Sequence, residues 1–190
     1  MLTSRSTSRA GEDAPAGSDF LAGVCREWEE TARAAEAKGT RVVLLRIGVV
    51  LGREGGALAQ MLPPFRMFVG GPIGSGAQWF SWIHLEDLVG LILHALEQPA
   101  LAGPVNACAP DPRTNREFSA ALGRALGRPS WLPMPGFAMR MVVGEVADVI
   151  LAGQRAVPRQ ALAAGFRFAF PDLEVALADL VGKVPAARSA

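Results

Sequence analysis

The chain has no tyrosine, two cysteines and two histidines in its 190 residues, and each scarcity removes a class of chemistry. Without a phenol, no tyrosine-based proton transfer can be written for it. Cys25 and Cys108 lie far apart and match neither a CxxC pair nor the Cys/His spacings of zinc sites, so no bound metal is expected. They read as reduced thiols of a cytoplasmic protein. Nineteen basic residues balance eighteen acidic ones at a formal charge of +1, and no basic block could follow a phosphate backbone. Nucleic acid is excluded as an expected partner. The longest apolar runs, Val42 to Leu51 and Leu88 to Leu96, are broken by Arg46 and His94 and fall short of the ~20 residues of a membrane span. No membrane partner is expected. The opening MLTSRSTSRAGEDAPAGSD lacks the apolar core of a secretory signal, and Glu12 and Asp13 argue against a transit peptide. There is no G-x-S-x-G nucleophile elbow and no Walker A loop.

What is present is a chain half of whose residues are hydrophobic, enough for a real core. Residues 1–17 are polar and are expected to be loosely attached. From Ser18, apolar residues at three- and four-residue steps (Phe20, Leu21, Val24, Trp28) predict a helix from Asp19 to Lys38 that stops at Gly39. RVVLLRIGVVLG, residues 41–52, is an almost continuous apolar run, the pattern of a parallel strand covered on both faces. Ala57 to Val69 reads as a helix kinked or restarted at Pro63-Pro64. Gln78 to Ile83 reads as a short aromatic strand, followed by a helix over Leu85 to Leu96 that ends before Pro99. VNACAP is a second buried strand, and Thr114 with Glu117 forms a capping box that starts a helix over Asn115 to Leu126. The remainder predicts a helix from Phe137 to Val143, a short helix after Pro158, a strand at FRFAF and a closing helix from Leu173 to Val181.

The segment QWFSWIHLEDLVGLILHALEQ, residues 78–98, gathers aromatic, imidazole and acidic groups in front of an apolar helix. His84 falls at the end of a strand, where α/β folds bind ligands, but the same place suits a buried, hydrogen-bonded histidine. Glu86 and Asp87, in the first turn, stabilise the positive end of the helix without any catalytic role. Trp79 and Trp82 are three apart and face opposite sides of a strand, so one of them lines a given pocket; Trp82, beside His84, is the choice. Arg46, inside an apolar strand, needs a carboxylate or a ligand anion as partner. GQRAVP places Gln154 and Arg155 in a turn, suited to an anion or amide contact. GGPIGSG has the wrong spacing and the wrong context for a dinucleotide cradle, since it precedes a strand. Cys25 on its helix reads as a small hydrophobe before a nucleophile.

LLRIGVVLG, FSWIHLEDLVGLILHAL and PVNACAPDPRTNREFSAALGRALGRP, in that order, resemble the later half of an extended short-chain dehydrogenase/reductase of the NAD(P)-dependent epimerase/dehydratase superfamily. The helix DFLAGVCREWE and the ending from Arg128 to Leu177 resemble one atypical epimerase-family branch with a C-terminal domain of unknown function. That resemblance implies the C-terminal half of a Rossmann-like doubly wound parallel sheet (18–127), a small mixed α/β substrate-binding lobe (128–182) and a tail (183–190). It implies NADP or NAD as the cofactor of full-length members, with Gly48 and Val49 approaching the nicotinamide. Arg46, Trp82, His84, Gln154 and Arg155 would then belong to the substrate side. The superfamily's Tyr and Lys pair would fall at Leu21 and Cys25, with Glu29 marking the register, and neither residue can do that work. An Arg common in nucleotide-sugar epimerases would fall near Phe80. The glycine-rich turn that holds the cofactor pyrophosphate in full-length members has no counterpart in these residues.

Two functions follow as expectations. The first is an epimerase-family oxidoreductase acting on a small molecule, here without its cofactor half, not binding NAD(P) and inactive alone. The second is a non-catalytic binding module completed by a partner chain, since a parallel strand left at a sheet edge invites association.

Overall fold

The computed structural model describes residues 9–15, 17–18, 20–134 and 153–182. The first helix is α1 (Phe20–Arg33), continued by a 3-10 turn over Ala34–Lys38 and stopped by Gly39 in the left-handed conformation. The apolar run then forms two strands instead of one, β1 (Val43–Ile47) and β2 (Val49–Leu51), divided at Gly48. A helix α2 (Gly56–Arg66) follows, then β3 (Trp79–Phe80), β4 (Trp82–His84), α3 (Leu85–Glu97) and β5 (Gly103–Ala107). The chain continues through β6 (Arg113–Thr114), α4 (Asn115–Leu126), α5 (Arg159–Ala163) and α6 (Leu173–Leu180). The helix expected over 137–143 lies outside the described residues.

β1 runs parallel to β5, with Val43 opposite Gly103 and Ile47 opposite Ala107. At Gly48 the chain changes neighbours, and β2 runs parallel to β4 with Val49 opposite Trp82 and Leu51 opposite His84. β3 pairs antiparallel with β6. Successive residues of β4 point to opposite faces: Trp82 enters a core with Leu58, Phe118 and Leu177, while Ile83 enters a second core with Leu91, Val105 and Ala161. The fold is thus α/β; β4 is buried on both faces, β2 is half-buried except at Leu51, and β1 is half-buried with its end residue Ile47 exposed, so the coverage that the continuous apolar run predicts is only partly met. α5 closes one core and α6 the other, so the described residues after 152 share the packing of those before 127.

Four expectations change. Pro63 and Pro64 do not restart the helix, which runs through them to Arg66, and their carbonyls still accept from Met67 and Val69 N–H. The 78–83 strand is interrupted at Ser81. FRFAF is not a strand: the N–H groups of Ala169 and Phe170 donate to the Asp87 carboxylate at 2.7 and 3.0 Å, which leaves no ladder to build. The polar N-terminal segment is not loose over its described part, since Ala10 bridges Ala156 in parallel and Glu12 is 7% exposed.

Candidate functional site

The seam where β1 becomes β2 gathers most of the chain's unusual contacts. Gly48 N–H donates to Ala107 O at 3.0 Å, and Val49 N–H to Ser81 O at 2.8 Å. A Cβ on Gly48 would lie 2.8 Å from Ser81 O and 3.5 Å from Cys108 Cβ, so only glycine lets the strand pass this close. The Ser81 hydroxyl donates to Gln154 O and accepts from Ala156 N–H at 3.1 Å. Beside it the Arg155 guanidinium lies 4.4 Å from the centre of the half-buried Trp79 ring, a cation–π contact. Gly153 admits no side chain there, because its Cβ would collide with Trp79 O. Gly48, Val49, Gln154 and Arg155 are therefore neighbours around Ser81 and Trp79.

Next to this seam, at the carboxyl end of β1, Arg46 meets Glu29 of α1 in a bidentate pair, Nε to Oε1 at 2.7 Å and Nη2 to Oε2 at 2.8 Å. Its Nη1 donates to Glu12 O at 3.1 Å. Hydrogen bonding to Arg46 holds the Glu29 carboxyl below the usual carboxylate range, and the same bond raises the already high pKa of Arg46. Glu12 Oε1 accepts from the backbone N–H of Asn106 at 3.0 Å and of Gln160 at 3.2 Å, tying β5 to the start of α5. Asn106 in turn donates from Nδ2 to Val157 O at 3.0 Å. The strap Ala10 to Glu12 thereby clamps the sheet to the C-terminal segment. In this structure Arg46 takes the carboxylate of the two partners open to it.

Trp82 and His84 do not rim a crevice. Trp82 is 0% exposed, with Nε1–H donating to Asp111 O at 2.9 Å; His84 is 2% exposed. His84 Nδ1 accepts from Glu86 N–H at 3.1 Å as the cap of α3, its ring stacks on Phe170 at 3.9 Å, and Nε2 lies 3.4 Å from Asp179 Oδ2. Both side chains are enclosed by α6 and the residues before it, so they cannot contact a substrate here. Of the two tryptophans in this segment, Trp79 is the one only half-buried. Ser81, Glu12, Asn106 and Trp79 were not picked out from sequence; the one local signal was a lone hydroxyl in the aromatic stretch WFSWIH.

The Cys108 thiol is not poised as a nucleophile. Burial, and then the Glu12 charge, push the Cys108 thiol up to about 12, so it carries no thiolate at neutral pH. Cys25 is half-buried and unpaired. Asp111, Asp172 and Glu174 lie close enough to suggest a cation site, but Arg113 sits among them, 2.7 Å from Asp111 and within 4 Å of the other two, and supplies the positive charge itself.

A dinucleotide needs free backbone N–H groups in a glycine-lined hollow at a helix start. Those of Gly48 and Val49 are already engaged in the sheet. In the GGPIGSG loop, Leu132 O fills the space beside Gly71, and Pro72 with Arg116 fills that beside Gly76. Neither place is open to a pyrophosphate.

Comparison with known proteins agrees with this architecture. A family model described as a domain of unknown function, DUF1731, matches residues 134–180. The chain is 53% identical over 174 residues to the chloroplastic epimerase family protein SDR39U1 homolog of Arabidopsis thaliana, covering 90% of this chain and 50% of that protein. It is 49% identical to epimerase family protein SDR39U1 of Mus musculus, covering 92% and 60%. The crystal structure of human SDR39U1, isoform 2, with NADPH superposes with a TM-score of 0.88 at 44% identity, covering 94% of this chain and 61% of that one. The chain spans half to three-fifths of the length of these relatives.

The Arg46–Glu29 pair has a consequence for acid stability. A carboxylate whose pKa is depressed by folding stabilises fully above its unfolded value, about pH 4.3, and that stability is lost as the pH falls through the lower folded value. Urea unfolding of Glu29→Gln, followed by circular dichroism, is expected to show a marked loss of stability at pH 7 that narrows steadily below pH ~4. A loss that does not change with pH would remove the pair from this role.

Proposed function

We propose that this chain, which belongs to the atypical epimerase family of the short-chain dehydrogenase/reductases and carries that family's DUF1731 segment at residues 134–180, forms the substrate side of an NAD(P)-dependent epimerase-like oxidoreductase. The observation that carries the reading is the seam around Ser81, where Gly48 and Val49 meet Gln154 and Arg155 just past the carboxyl ends of β1 and β5, the end at which α/β sheets bind ligands, and at the amino ends of β2 and β4. A relative solved with NADPH supports the choice of cofactor. When bound, such a cofactor supplies or accepts a hydride.

This chain's own residues contribute orientation. Arg155, held against Trp79, offers a guanidinium to an anionic or carbonyl-bearing small molecule, and Arg46 and Glu29 fix the strand end beside it. None of these 190 residues is a tyrosine, so none of them supplies the superfamily's usual phenol. The engaged N–H groups of Gly48 and Val49 support the further reading that these residues alone neither hold NAD(P) nor turn over substrate. Two unpaired cysteines, Cys108 among them buried, suit a reducing compartment such as the cytoplasm.

A second reading, a binding module completed by another polypeptide or by a second copy, rests on β1. Among the described residues β1 pairs on one side only, and its end residue Ile47 is exposed together with Phe20 (83%) and Trp28 (71%) of α1. An apolar parallel edge of this kind recruits another chain.

Two measurements test these readings. Titration of the purified chain with NADPH, followed by nicotinamide fluorescence, is expected to show no saturable micromolar binding; stoichiometric binding would place the cofactor cradle in this chain and overturn the first. In sedimentation equilibrium the chain is expected to show a mass that rises with concentration, and Ile47→Lys to reduce that rise. A monomer at every concentration would dismiss the second.

A further inference from the structure

We infer that the cleft between the GGPIGSG loop, α4 and residues 130–133 is a binding site for a small planar carboxylate. The cleft encloses about 270 Å³, and its walls include Pro72, Arg116, Ala120, Trp131 and Pro133. Gly48, Ser81, Gln154 and Arg155 do not line it, so it is separate from the seam described above. Its size lies just below the roughly 300–1,000 Å³ of sites for drug-sized ligands, which admits a small ring and excludes a dinucleotide.

The walls are fixed before any ligand arrives. Ile73 N–H donates to the buried Asn115 Oδ1 at 2.7 Å, Gln78 Nε2 donates to Ile73 O at 3.0 Å, and Arg116 N–H donates to Gly76 O at 2.9 Å. The facing segment is stitched to the loop by Trp131 N–H to Gly70 O at 3.1 Å and Met134 N–H to Pro72 O at 2.8 Å. Gly71 is required because a Cβ there would lie 2.1 Å from Leu132 O.

The indole of Trp131 is held by a bond from its Nε1–H to Phe68 O at 3.0 Å. To present that carbonyl, Phe68 adopts a φ of 65°, a left-handed conformation that a bulky side chain rarely takes, and its ring is covered by the Arg128 guanidinium at 4.4 Å. Such unfavourable backbone persists where the surroundings over-determine it, often at ligand clamps.

The charge comes from Arg116. Its Nη2 donates to Ser75 O at 2.7 Å, and no carboxylate pairs with it among the described residues. A guanidinium carries five donors in a planar fork that matches a carboxylate. A flat indole wall, two rigid proline rings and a guanidinium with no carboxylate partner among the described residues together fit a ring bearing a carboxylate.

The test uses the whole chain and follows the indole N–H signals of its four tryptophans by nuclear magnetic resonance, with Trp131→Phe identifying the relevant one. Benzoate is expected to move the Trp131 signal saturably. Arg116→Gln should weaken that binding by about tenfold or more, the loss of a charge-assisted bond, and Ala120→Leu, which fills the cleft, should abolish it. Benzyl alcohol, with the ring and no charge, and inorganic phosphate, with charge and no ring, should each bind at least about tenfold more weakly. No saturable shift with benzoate, equal binding by Arg116→Gln, or equal binding of phosphate would overturn the assignment.

Discussion

The strand run 43–51 exchanges one hydrogen-bonded neighbour for another at a point where its backbone comes nearer the new neighbour than a side chain permits. At Gly48 that approach is set by Ser81 O, 2.8 Å from where a Cβ would stand. On one side of Gly48 the chain pairs with β5, and on the other with β4. Two cores form on opposite sides of β4, because its successive residues Trp82 and Ile83 face opposite ways into the two clusters.

The same serine joins the sheet to the C-terminal segment. Its carbonyl takes Val49 N–H while its hydroxyl holds Gln154 and Ala156. Glu12 makes a parallel tie from β5 to the start of α5, and the Arg46–Glu29 pair pins α1 beside them. Three elements distant in sequence thus converge at the carboxyl ends of β1 and β5. That convergence is what the proposed ligand site rests on.

What was legible in the sequence is what local chemistry dictates. The helix over Asn115–Leu126 was readable to its ends, because Thr114 and Glu117 cap it reciprocally and Gly127 closes it. The apolar run 41–52 announced a strand covered on both faces, and Leu173–Leu180 announced its helix. What was not legible depended on partners far along the chain. FRFAF has strand composition, but its N–H groups bind Asp87, 82 and 83 positions away. Choosing Trp82 over Trp79 for an open face failed because Asp111 and α6 enclose the former. Glu12 looked like part of a loose polar start, and nothing nearby in sequence signals that it serves Asn106, 94 residues later. Arg46 was recognised as needing an anion, but the choice of Glu29 required knowing where α1 lies.

The central claim is that Ser81 holds the sheet seam and the C-terminal segment together as one unit. Hydrogen–deuterium exchange of Ser81→Ala, resolved by peptide mass spectrometry, tests it most directly. The account predicts that exchange quickens together in residues 153–157 and in the strap 10–12 paired with them, while β1 and β5 keep their protection. Quickened exchange confined to the neighbourhood of residue 81, with 153–157 and 10–12 unchanged, would contradict it.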